Sequence, residues 1–286
     1  MNVKIKPFGI PRFIGNFFVQ IFLVFWAFIQ FFPLFWVFYS SFKNNNEIIS
    51  SVFALPKKFH FENYVFAWGN SIQASIGVFF KNSLIVTFIS LIILTVVSLL
   101  ASYAIAIYKF KFKNVILIVL IGFIGIPIYS YLIPVYYFIA KIGLLNNYLG
   151  LIFPYVAFNI PFSCLLLQSF FRTLPKELIE AARIDGSGEL RIFFNIIIPI
   201  SKGIISSVII IDFIAIWNEF LFSMVIMKDD PMKTLPVGIF SLVGEHQVAW
   251  GQLFAGYIIA LIPAIIIYLI FSRNIVEGLT LGSIKQ

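Results

Sequence analysis

Long apolar runs alternate along this chain with segments that contain most of the charged residues. Five apolar runs contain no Asp, Glu, Lys or Arg, and a sixth is interrupted only by Asp212 and Glu219. The runs are residues 13–42, 82–108, 114–140, 142–171, 203–227 and 247–272. An α-helix needs about 20 residues to cross a hydrocarbon core of about 30 Å, and every run exceeds that length. The pattern therefore predicts an all-α, polytopic membrane protein with six transmembrane helices.

Prolines at positions 127, 134, 154, 161 and 263 fall inside these runs. A proline removes one backbone hydrogen bond, which neighbouring helices can compensate inside a membrane. We expect kinked helices at these positions rather than missing ones.

The first run follows a basic start that contains Lys4, Lys6 and Arg12, as a signal peptide would. The apolar part of a signal peptide has about 7 to 15 residues and ends at a small-x-small cleavage site. The run here is much longer, and no such site follows it. We expect a retained transmembrane helix.

Lysine and arginine predict the orientation of the six helices. With a cytoplasmic N-terminus, 13 of the 20 Lys and Arg residues fall in inner segments and 7 in outer ones. Positive residues are enriched on the cytoplasmic side of membrane proteins. This bias predicts that both termini, and the charged loop 172–202 between helices four and five, lie in the cytoplasm.

The connecting segments divide the chain without a linker or an internal repeat. Residues 1–81 hold the N-terminal tail, the first helix and a first outer loop (43–81), and residues 82–286 hold the other helices. Aromatic residues in the first outer loop indicate either the membrane interface or a docking surface for an external partner. The second outer loop, 228–246, either reaches toward such a partner or covers the membrane domain.

The charged loop 172–202 has the pattern of a helix-turn-helix. Pro175 suits a helix start, and Glu177 and Glu180 suit its first turns. Gly186 is expected to end this helix at a corner. A second short helix from about Glu189 would then lead to the fifth span.

Two interpretations of this element compete. An ordinary amphipathic helix resting on lipid headgroups would carry bulky apolar anchors on one face and bases on the other. Here acids and bases are mixed, and Ala181 and Ala182 stand where such anchors belong, on a face shared with Leu178. This mixture favours packing against another protein.

Composition argues against several classes of function. Hydrophobic residues make up 61% of the 286 residues and charged residues 11%, against roughly 25% charged in a soluble domain. The net charge of +8 is scattered, so we expect no nucleic acid partner. Cys164 is the single cysteine and His60 and His246 are the only histidines, so neither a metal site nor an enzyme is expected. No Gly-x-x-x-x-Gly-Lys-[Ser/Thr] motif that would bind ATP occurs.

Several motifs resemble one known family. Glu180-Ala181-Ala182, then Gly186 and Ile198-Pro199, resembles the EAA loop of permease subunits of bacterial ABC importers. The chain is most similar to the smaller permease of the carbohydrate, or maltose-type, importers, on motifs from about residue 60 to the C-terminus. These motifs are Asn-Ser-Leu at 82–84, Ile-Gly-Leu-Leu-Asn at 142–146, Trp-Asn-Glu-Phe at 217–220, Thr-Leu-Pro-Val-Gly at 234–238 and Gly-Leu-Thr-Leu-Gly at 278–282.

The resemblance implies a permease domain over residues 82–286 that works with partners. These are a second homologous permease, a dimer of ATP-binding cassette ATPases that bind ATP and Mg, and an extracytoplasmic solute-binding protein. In the family the EAA element is the coupling helix that seats in the ATPase. The residues assigned to this coupling are Glu180, Ala181, Ala182, Asp185, Gly186 and Pro199.

The two acids of the fifth run lie seven residues apart, which predicts one face of a single helix. A charged acid in the membrane costs about 2.5 to 3.5 kcal/mol, so both should face protein or water. Glu219 could line or stabilise the substrate path, both acids could bond neighbouring helices, or both could relay protons. Aromatic and amide residues suited to a sugar are Trp217, Asn218, Tyr131, Tyr155 and Asn159, with packing as the alternative.

We therefore expect a multi-pass permease subunit in the cell membrane of a bacterium or an archaeon. It would translocate a sugar or oligosaccharide inward, driven by ATP hydrolysis in a partner. The alternative is a proton-coupled secondary transporter that uses Asp212 and Glu219.

Overall fold

The computed structural model describes residues 12–70, 75–243 and 248–283, and these residues are almost entirely helical. Lys4, Lys6 and His246 lie outside the described residues. The helices are α1 Arg12–Ser40, α2 Asn45–Ser50, α3 Glu62–Val65, α4 Ile76–Ile107, α5 Lys113–Ile124, α6 Leu132–Lys141, α7 Tyr148–Phe171, α8 Lys176–Ile184, α9 Glu189–Ile192, α10 Ile198–Ile200, α11 Lys202–Trp217, α12 Leu221–Ile226, α13 Leu235–Ser241 and α14 Trp250–Ser283. The all-α prediction is confirmed.

Among the described helices, four are long and apolar enough to cross a membrane. They correspond to α1, α4, α7 and the first part of α14. Two bent pairs of helices reach the same length and apolarity together, so the number of candidate spans rises to six if each pair is one span.

The first bent pair replaces the continuous helix expected over residues 114–140. α5 ends at Ile124, and the chain resumes at Ile128 with a bend of 96°. Pro127 stands at this break, where it caps the 3-10 turn Ile128–Tyr131. By contrast, Pro154 and Pro161 lie inside the unbroken helix α7. Proline therefore interrupts one predicted span and is accommodated in another.

The fifth predicted run, 203–227, is also divided, and here the expectation of one helix is wrong. α11 ends at Trp217, and the chain turns before α12 begins at Leu221. Asp212 therefore lies on a helix, whereas Glu219 lies in the turn after it. The two acids therefore do not share a helix face. The hydrogen bonds of Glu219, described below, stabilise the start of α12 instead of a continuation of α11. At its other end α11 meets the segment Glu189–Ile200 at a bend of 80°.

Like α11, helix α4 contributes buried residues to all three apolar clusters of the fold. One end packs Phe79 with α11, α13 and α14. Its middle packs Val86 and Leu94 with α6, α7 and α12. Its other end packs Leu99 and Tyr103 with α7, α8 and the residues after α9. Between helices in a membrane, van der Waals packing and interhelical hydrogen bonds stabilise such contacts, since lipid tails are as apolar as the side chains.

α1 differs from the other long helices, since every side chain from residue 16 to residue 35 is exposed. It touches the rest of the chain mainly through its last turns, where the Trp36 ring packs on Phe254 of α14 at 5.2 Å. The chain then buries Lys43, whose Nζ donates to the carbonyl oxygens of Ser51 at 3.1 Å and Val52 at 3.2 Å. Burial lowers the pKa of this ammonium group.

The segment 228–243 is folded into the bundle rather than extended from it. It forms the 3-10 turn Asp230–Met232 and then α13, which buries Leu235, Val237 and Ile239. A Cβ on Gly238 would stand 2.0 Å from Cδ2 of Phe79, so only glycine permits this contact. Of the two alternatives for this loop, the structure agrees with a covering segment over its described part.

Candidate functional site

The charged loop 172–202 folds as the helix-turn-helix that its sequence predicts. α8 begins directly after Pro175, and its end is closed by backbone hydrogen bonds around Gly186. The Gly186 N–H donates to Arg183 O at 3.0 Å, and the Ser187 N–H donates to Ala182 O at 2.9 Å. This pair of bonds is a Schellman motif, which needs a left-handed residue at its corner. Gly186 supplies it with φ +78°.

α8 has two unlike faces. Ile179 and Ala182 are buried in the cluster that contains the end of α4. Glu180, Ala181 and Asp185 are exposed, as is Gly186 at the corner, and Glu180 also lines the pocket described below. Ile184 is the most exposed apolar residue of the helix, at 86%.

The two alanines therefore have different environments. This corrects the expectation that both lie on one outer face, which small residues keep flat. Ala182 follows Ile179 by three residues, a spacing that places both on the side of the chain's own core. Ala181 lies one residue earlier, on the exposed side. Leu178, expected on the same face as both alanines, is 45% exposed. In the described structure, only Ala181 of the two alanines is exposed enough to contact another protein.

A cluster around Glu189 joins this loop to α4. Its carboxylate accepts from Arg183 Nε at 2.7 Å, and also from the hydroxyls of Tyr108 at 2.6 Å and Tyr103 at 3.2 Å. The hydrogen bond from Arg183, followed by that from Tyr108, lowers the pKa of Glu189. One partly exposed carboxylate thus links α8, α9 and the end of α4.

A basic pocket of about 460 Å³ lies between α8 and the ends of α4 and α7. Glu180 is its one acidic residue, and apolar side chains such as Ile107 and Phe171 form part of its wall. The basic residues that line it are Lys109, Lys113, Arg172, Lys176 and Arg183.

Pro199, the remaining residue assigned to the loop, lies at the opposite end of the element. It stands in α10, exposed, directly before the 80° bend into α11.

The two acids of the fifth run are both held by hydrogen bonds inside the bundle. Asp212 is 1% exposed, and its two carboxylate oxygens lie 2.8 and 2.7 Å from Ser163 Oγ of α7. Glu219 accepts from the Tyr155 hydroxyl at 2.5 Å and from the Phe222 N–H at 2.8 Å. It therefore caps the start of α12 while bonding α7. Of the interpretations left open, these contacts correspond to bonding between helices.

The six residues considered for a substrate path do not share one cleft. Trp217 and Asn218 line an open pocket of about 390 Å³ together with Phe240 and Tyr257. The Trp217 indole donates to Ala260 O at 3.0 Å and is 3% exposed, so only a small part of it reaches the pocket.

The other candidates lie in two further places. Tyr155 and Glu219 are buried together, and Asn159 Nδ2 donates to Tyr155 O at 2.7 Å. Tyr131 lines a separate pocket of about 260 Å³, where its ring stacks on Phe158 with centroids 5.4 Å apart. The structure therefore brings together Trp217 with Asn218, and Tyr155 with Glu219 and Asn159, but not all six.

Several residues of these sites were not identified from the sequence. Phe240 and Tyr257 reach the pocket of Asn218 from α13 and α14, and Tyr103 reaches Glu189 from a position 86 residues earlier. An aromatic residue in an apolar run gives no sign of such a partner, since packing uses the same residue types.

The described residues include no group of three potential metal ligands. His60, one of the two histidines, has its Nδ1 at 2.6 Å from Glu62 Oε1 in an exposed position.

Comparison with known proteins gives a consistent result along most of the chain. The family described as "Binding-protein-dependent transport system inner membrane component" matches residues 98–280. The probable ABC transporter permease protein YurM of Bacillus subtilis is 35% identical over 285 residues, covering 100% of this chain and 93% of the relative.

Two further relatives have names that state their substrates. The diacetylchitobiose uptake system permease protein NgcG of Streptomyces coelicolor is 34% identical, covering 92% of this chain and 87% of its own. The trehalose/maltose transport system permease protein MalG of Thermococcus litoralis is 40% identical, covering 72% of this chain and 75% of its own.

Among solved structures, a similar chain comes from a bacterial ABC transporter involved in the import of the acidic polysaccharide alginate. The TM-score is 0.79, with coverage of 94% of this chain and 99% of that chain. Because the sequence identity is 20%, this likeness shows the fold alone.

Proposed function

Because the chain belongs to the family of binding-protein-dependent transport system inner membrane components, we propose that it moves a sugar or an oligosaccharide into the cell. Members of this family are ABC importer permeases, and the chain is such a transmembrane subunit rather than an enzyme. Named relatives that transport diacetylchitobiose, trehalose and maltose support the class of substrate.

The family implies a second permease, an ATPase and a solute-binding protein as partners. We assign ATP and Mg to the ATPase, since the chain has no phosphate-binding motif. In this proposal the four long helices and the two bent pairs form six spans, with both termini and the loop 172–202 in the cytoplasm.

The proton-coupled alternative is not supported. The family and the relatives are components of ABC importers. Asp212 and Glu219 are moreover engaged with Ser163 and Tyr155 in the described structure.

The coupling role of the loop rests on one observation, the division of α8 into an anchored and an exposed face. Ile179 and Ala182 attach the helix to the cluster at the end of α4, which leaves Glu180 and Ala181 exposed. A helix held on one side and free on the other can transmit a partner's displacement as a rigid body. We assign Glu180 an ionic contact with the ATPase, and Asp185, Gly186 and Pro199 the shape of the element.

Reversal of one charge tests this assignment. We expect Glu180→Arg to reduce co-purification of the ATPase at least about tenfold, because an attractive contact becomes a repulsive one. The amount of the permease pair in the membrane should stay unchanged. Glu62→Arg, at an exposed glutamate of α3 outside the loop 172–202, is the control and should leave ATPase capture unchanged. ATPase capture and ATP-driven uptake at the unmodified level in Glu180→Arg would contradict the coupling role.

We place part of the substrate path at the pocket of Asn218 and Tyr257. An aromatic ring beside an amide suits a sugar, which has an apolar face and a belt of hydroxyl groups. The Tyr257 ring is 44% exposed and lines the same pocket as the Asn218 amide.

Uptake by proteoliposomes that contain the complete importer tests this placement. The substrates are labelled maltose, trehalose and diacetylchitobiose, each presented with the solute-binding protein. We expect Tyr257→Ala to reduce uptake of the accepted sugar roughly tenfold at an unchanged amount of complex. Tyr137→Ala, at a 69% exposed tyrosine of α6 away from the pocket, is the control. An equal effect of both substitutions would argue against the pocket.

A further inference from the structure

The basic pocket beneath α8 has more positive charge than its surroundings neutralise. Five cationic side chains and one carboxylate face the same cavity of about 460 Å³. Two of the cations already have partners, since Arg183 pairs with Glu189 at 2.7 Å and Lys113 Nζ donates to Tyr108 O at 3.2 Å. The pocket therefore has an excess of positive charge that is suited to an anion.

Three cations are left without a protein partner. Within residues 12–70, 75–243 and 248–283, the side chains of Lys109, Arg172 and Lys176 form no ion pair or hydrogen bond. They come from three different places, the turn after α4, the end of α7 and the start of α8. Like charges converging on one cavity repel each other, and a bound anion would reverse this effect.

The position of the pocket indicates which anion fits it. Ile107 and Phe171, at the ends of two long apolar helices, form part of its wall. Helix ends of this kind lie at the depth of the lipid headgroups. Next to Lys113, the helix α5 exposes Val115, Ile118 and Val119 as an apolar surface. Phosphate and hydrocarbon can thus be accommodated side by side.

We propose that this pocket binds the phosphate of an anionic phospholipid headgroup. Lys109, Arg172 and Lys176 contact the phosphate, and the acyl chains lie along α5. Basic pockets between transmembrane helices are suited to anionic headgroups. The site needs neither the sugar nor the ATPase, and it attaches the loop 172–202 to the bilayer.

An acidic segment of a partner protein is the competing occupant. Such a segment would approach from the exposed side of α8, whereas Lys109 and Arg172 belong to the ends of apolar helices. This arrangement favours the lipid, and the experiment below distinguishes a lipid from an acidic protein segment.

The test is direct binding to the complete importer, purified in detergent and examined by native mass spectrometry. The probes are dioctanoyl phosphatidylglycerol, dioctanoyl phosphatidylcholine and inorganic phosphate. We expect the phosphatidylglycerol to be retained and the phosphatidylcholine not. The triple substitution Lys109→Gln, Arg172→Gln, Lys176→Gln should raise the Kd on the order of 100-fold. Lys111→Gln, a neighbouring exposed lysine outside the pocket, should leave it unchanged.

Four results would overturn the proposal. These are equal retention of both lipids, unchanged phosphatidylglycerol binding in the triple variant, displacement of the lipid by equimolar inorganic phosphate, and loss of the ATPase from the triple variant with lipid binding intact. The third result would assign the site to free phosphate, and the fourth to a partner protein.

A pair of single variants covers the case in which the triple variant does not fold. Arg172→Lys keeps the charge and should retain phosphatidylglycerol, whereas Arg172→Gln should weaken its binding roughly fivefold. Equal binding by these two variants would also overturn the proposal. Because the readout is lipid retention, it remains valid if the importer proves to carry a different substrate.

Discussion

The loop 172–202 and the segment 228–243 both leave the apolar bundle and return to it, but they are attached to α4 in opposite ways. The segment is attached by buried, uncharged contacts: Asn82 Nδ2 donates to Pro231 O at 2.7 Å and Lys233 O at 2.8 Å. The loop is attached by apolar contacts of Ile179 and Ala182 and, in addition, by the partly exposed carboxylate of Glu189. Buried uncharged bonds persist in salt and acid, whereas an exposed ionic cluster responds to both.

This difference distinguishes a fixed part of the core from an adjustable attachment. Ser83 Oγ accepts from the Leu235 N–H at 2.7 Å, and Gly238 presses on the Phe79 ring, so the segment 228–243 cannot move without opening the core. α8 keeps its buried contacts through Ile179 and Ala182, and the bonds of Glu189 are the part of its attachment that salt or acid can weaken. Substitutions on the two sides should therefore differ in how much stability they remove.

The largest loss of stability is expected where Gly238 contacts the Phe79 ring. In Gly238→Ala the new methyl group would lie 2.0 Å from Cδ2 of Phe79, a ring that is 2% exposed and has no free space. We expect a loss of about 3 kcal/mol of unfolding free energy, since overpacking in a core costs about 1 to 3 kcal/mol. Denaturant unfolding of the purified subunit measures it.

Gly122→Ala is the control for this substitution. A Cβ at position 122 in α5 meets no atom within 4 Å, so the variant should be as stable as the original or slightly more. A similar loss in both variants would show that glycine itself, rather than the Phe79 contact, matters.

A smaller loss is expected for Asn82→Ala. The substitution leaves the carbonyl oxygens of Pro231 and Lys233 and the Tyr148 hydroxyl without this partner in a buried site. We expect a loss of about 2 kcal/mol, with faster proteolysis within residues 228–243. Asn114→Ala, at an exposed asparagine of α5, should change neither quantity. Proteolysis confined to residues 172–202 would contradict the attachment described here.

The smallest effect on stability is expected for Glu189→Gln. Exposed ion pairs contribute about 0 to 1 kcal/mol, and the Glu189 side chain is 42% exposed. We nevertheless expect faster proteolysis within the loop 172–202 and a reduced stimulation of ATP hydrolysis by the loaded solute-binding protein. Glu177→Gln, an exposed glutamate of α8, is the matched control.

The pH dependence sharpens this last prediction. The pKa of Glu189 is lowered in the folded state, chiefly by the hydrogen bond from Arg183. Its stabilising contribution is therefore complete above the ordinary glutamate pKa of about 4.3 and is lost as the pH falls through the lowered value. The difference between the original protein and Glu189→Gln should be constant near neutral pH and disappear in acid. A difference that grows in acid would contradict the assignment.

Features that depend on local chemistry could be predicted from the sequence. The apolar runs indicate the helices because their length and composition are local properties. The corner at Gly186 follows from the preference of glycine for a left-handed helix end. The sequence motifs around Glu180 and Trp217 indicate an ABC importer permease, and the comparisons confirm this family.

Features that depend on distant partners could not be predicted. Helix α11 ends at Trp217 because the Glu219 carboxylate caps α12 and binds Tyr155, 64 residues earlier. Pro127 breaks a helix and Pro161 does not, although both stand in apolar runs. Ala181 and Ala182 are adjacent and chemically identical, and only the cluster at the end of α4 determines that Ala182 is the buried one.

α4 has 32 residues and no proline, so it extends over about 48 Å as one continuous helix. Phe79 and Asn82 near one end hold the segment 228–243, and Tyr103, close to the other end, holds Glu189. A tilt of about 5° about one end would displace the other by roughly 4 Å. A rigid helix of this length would act as a lever that connects the two attachments directly, without a relay of intermediate side chains.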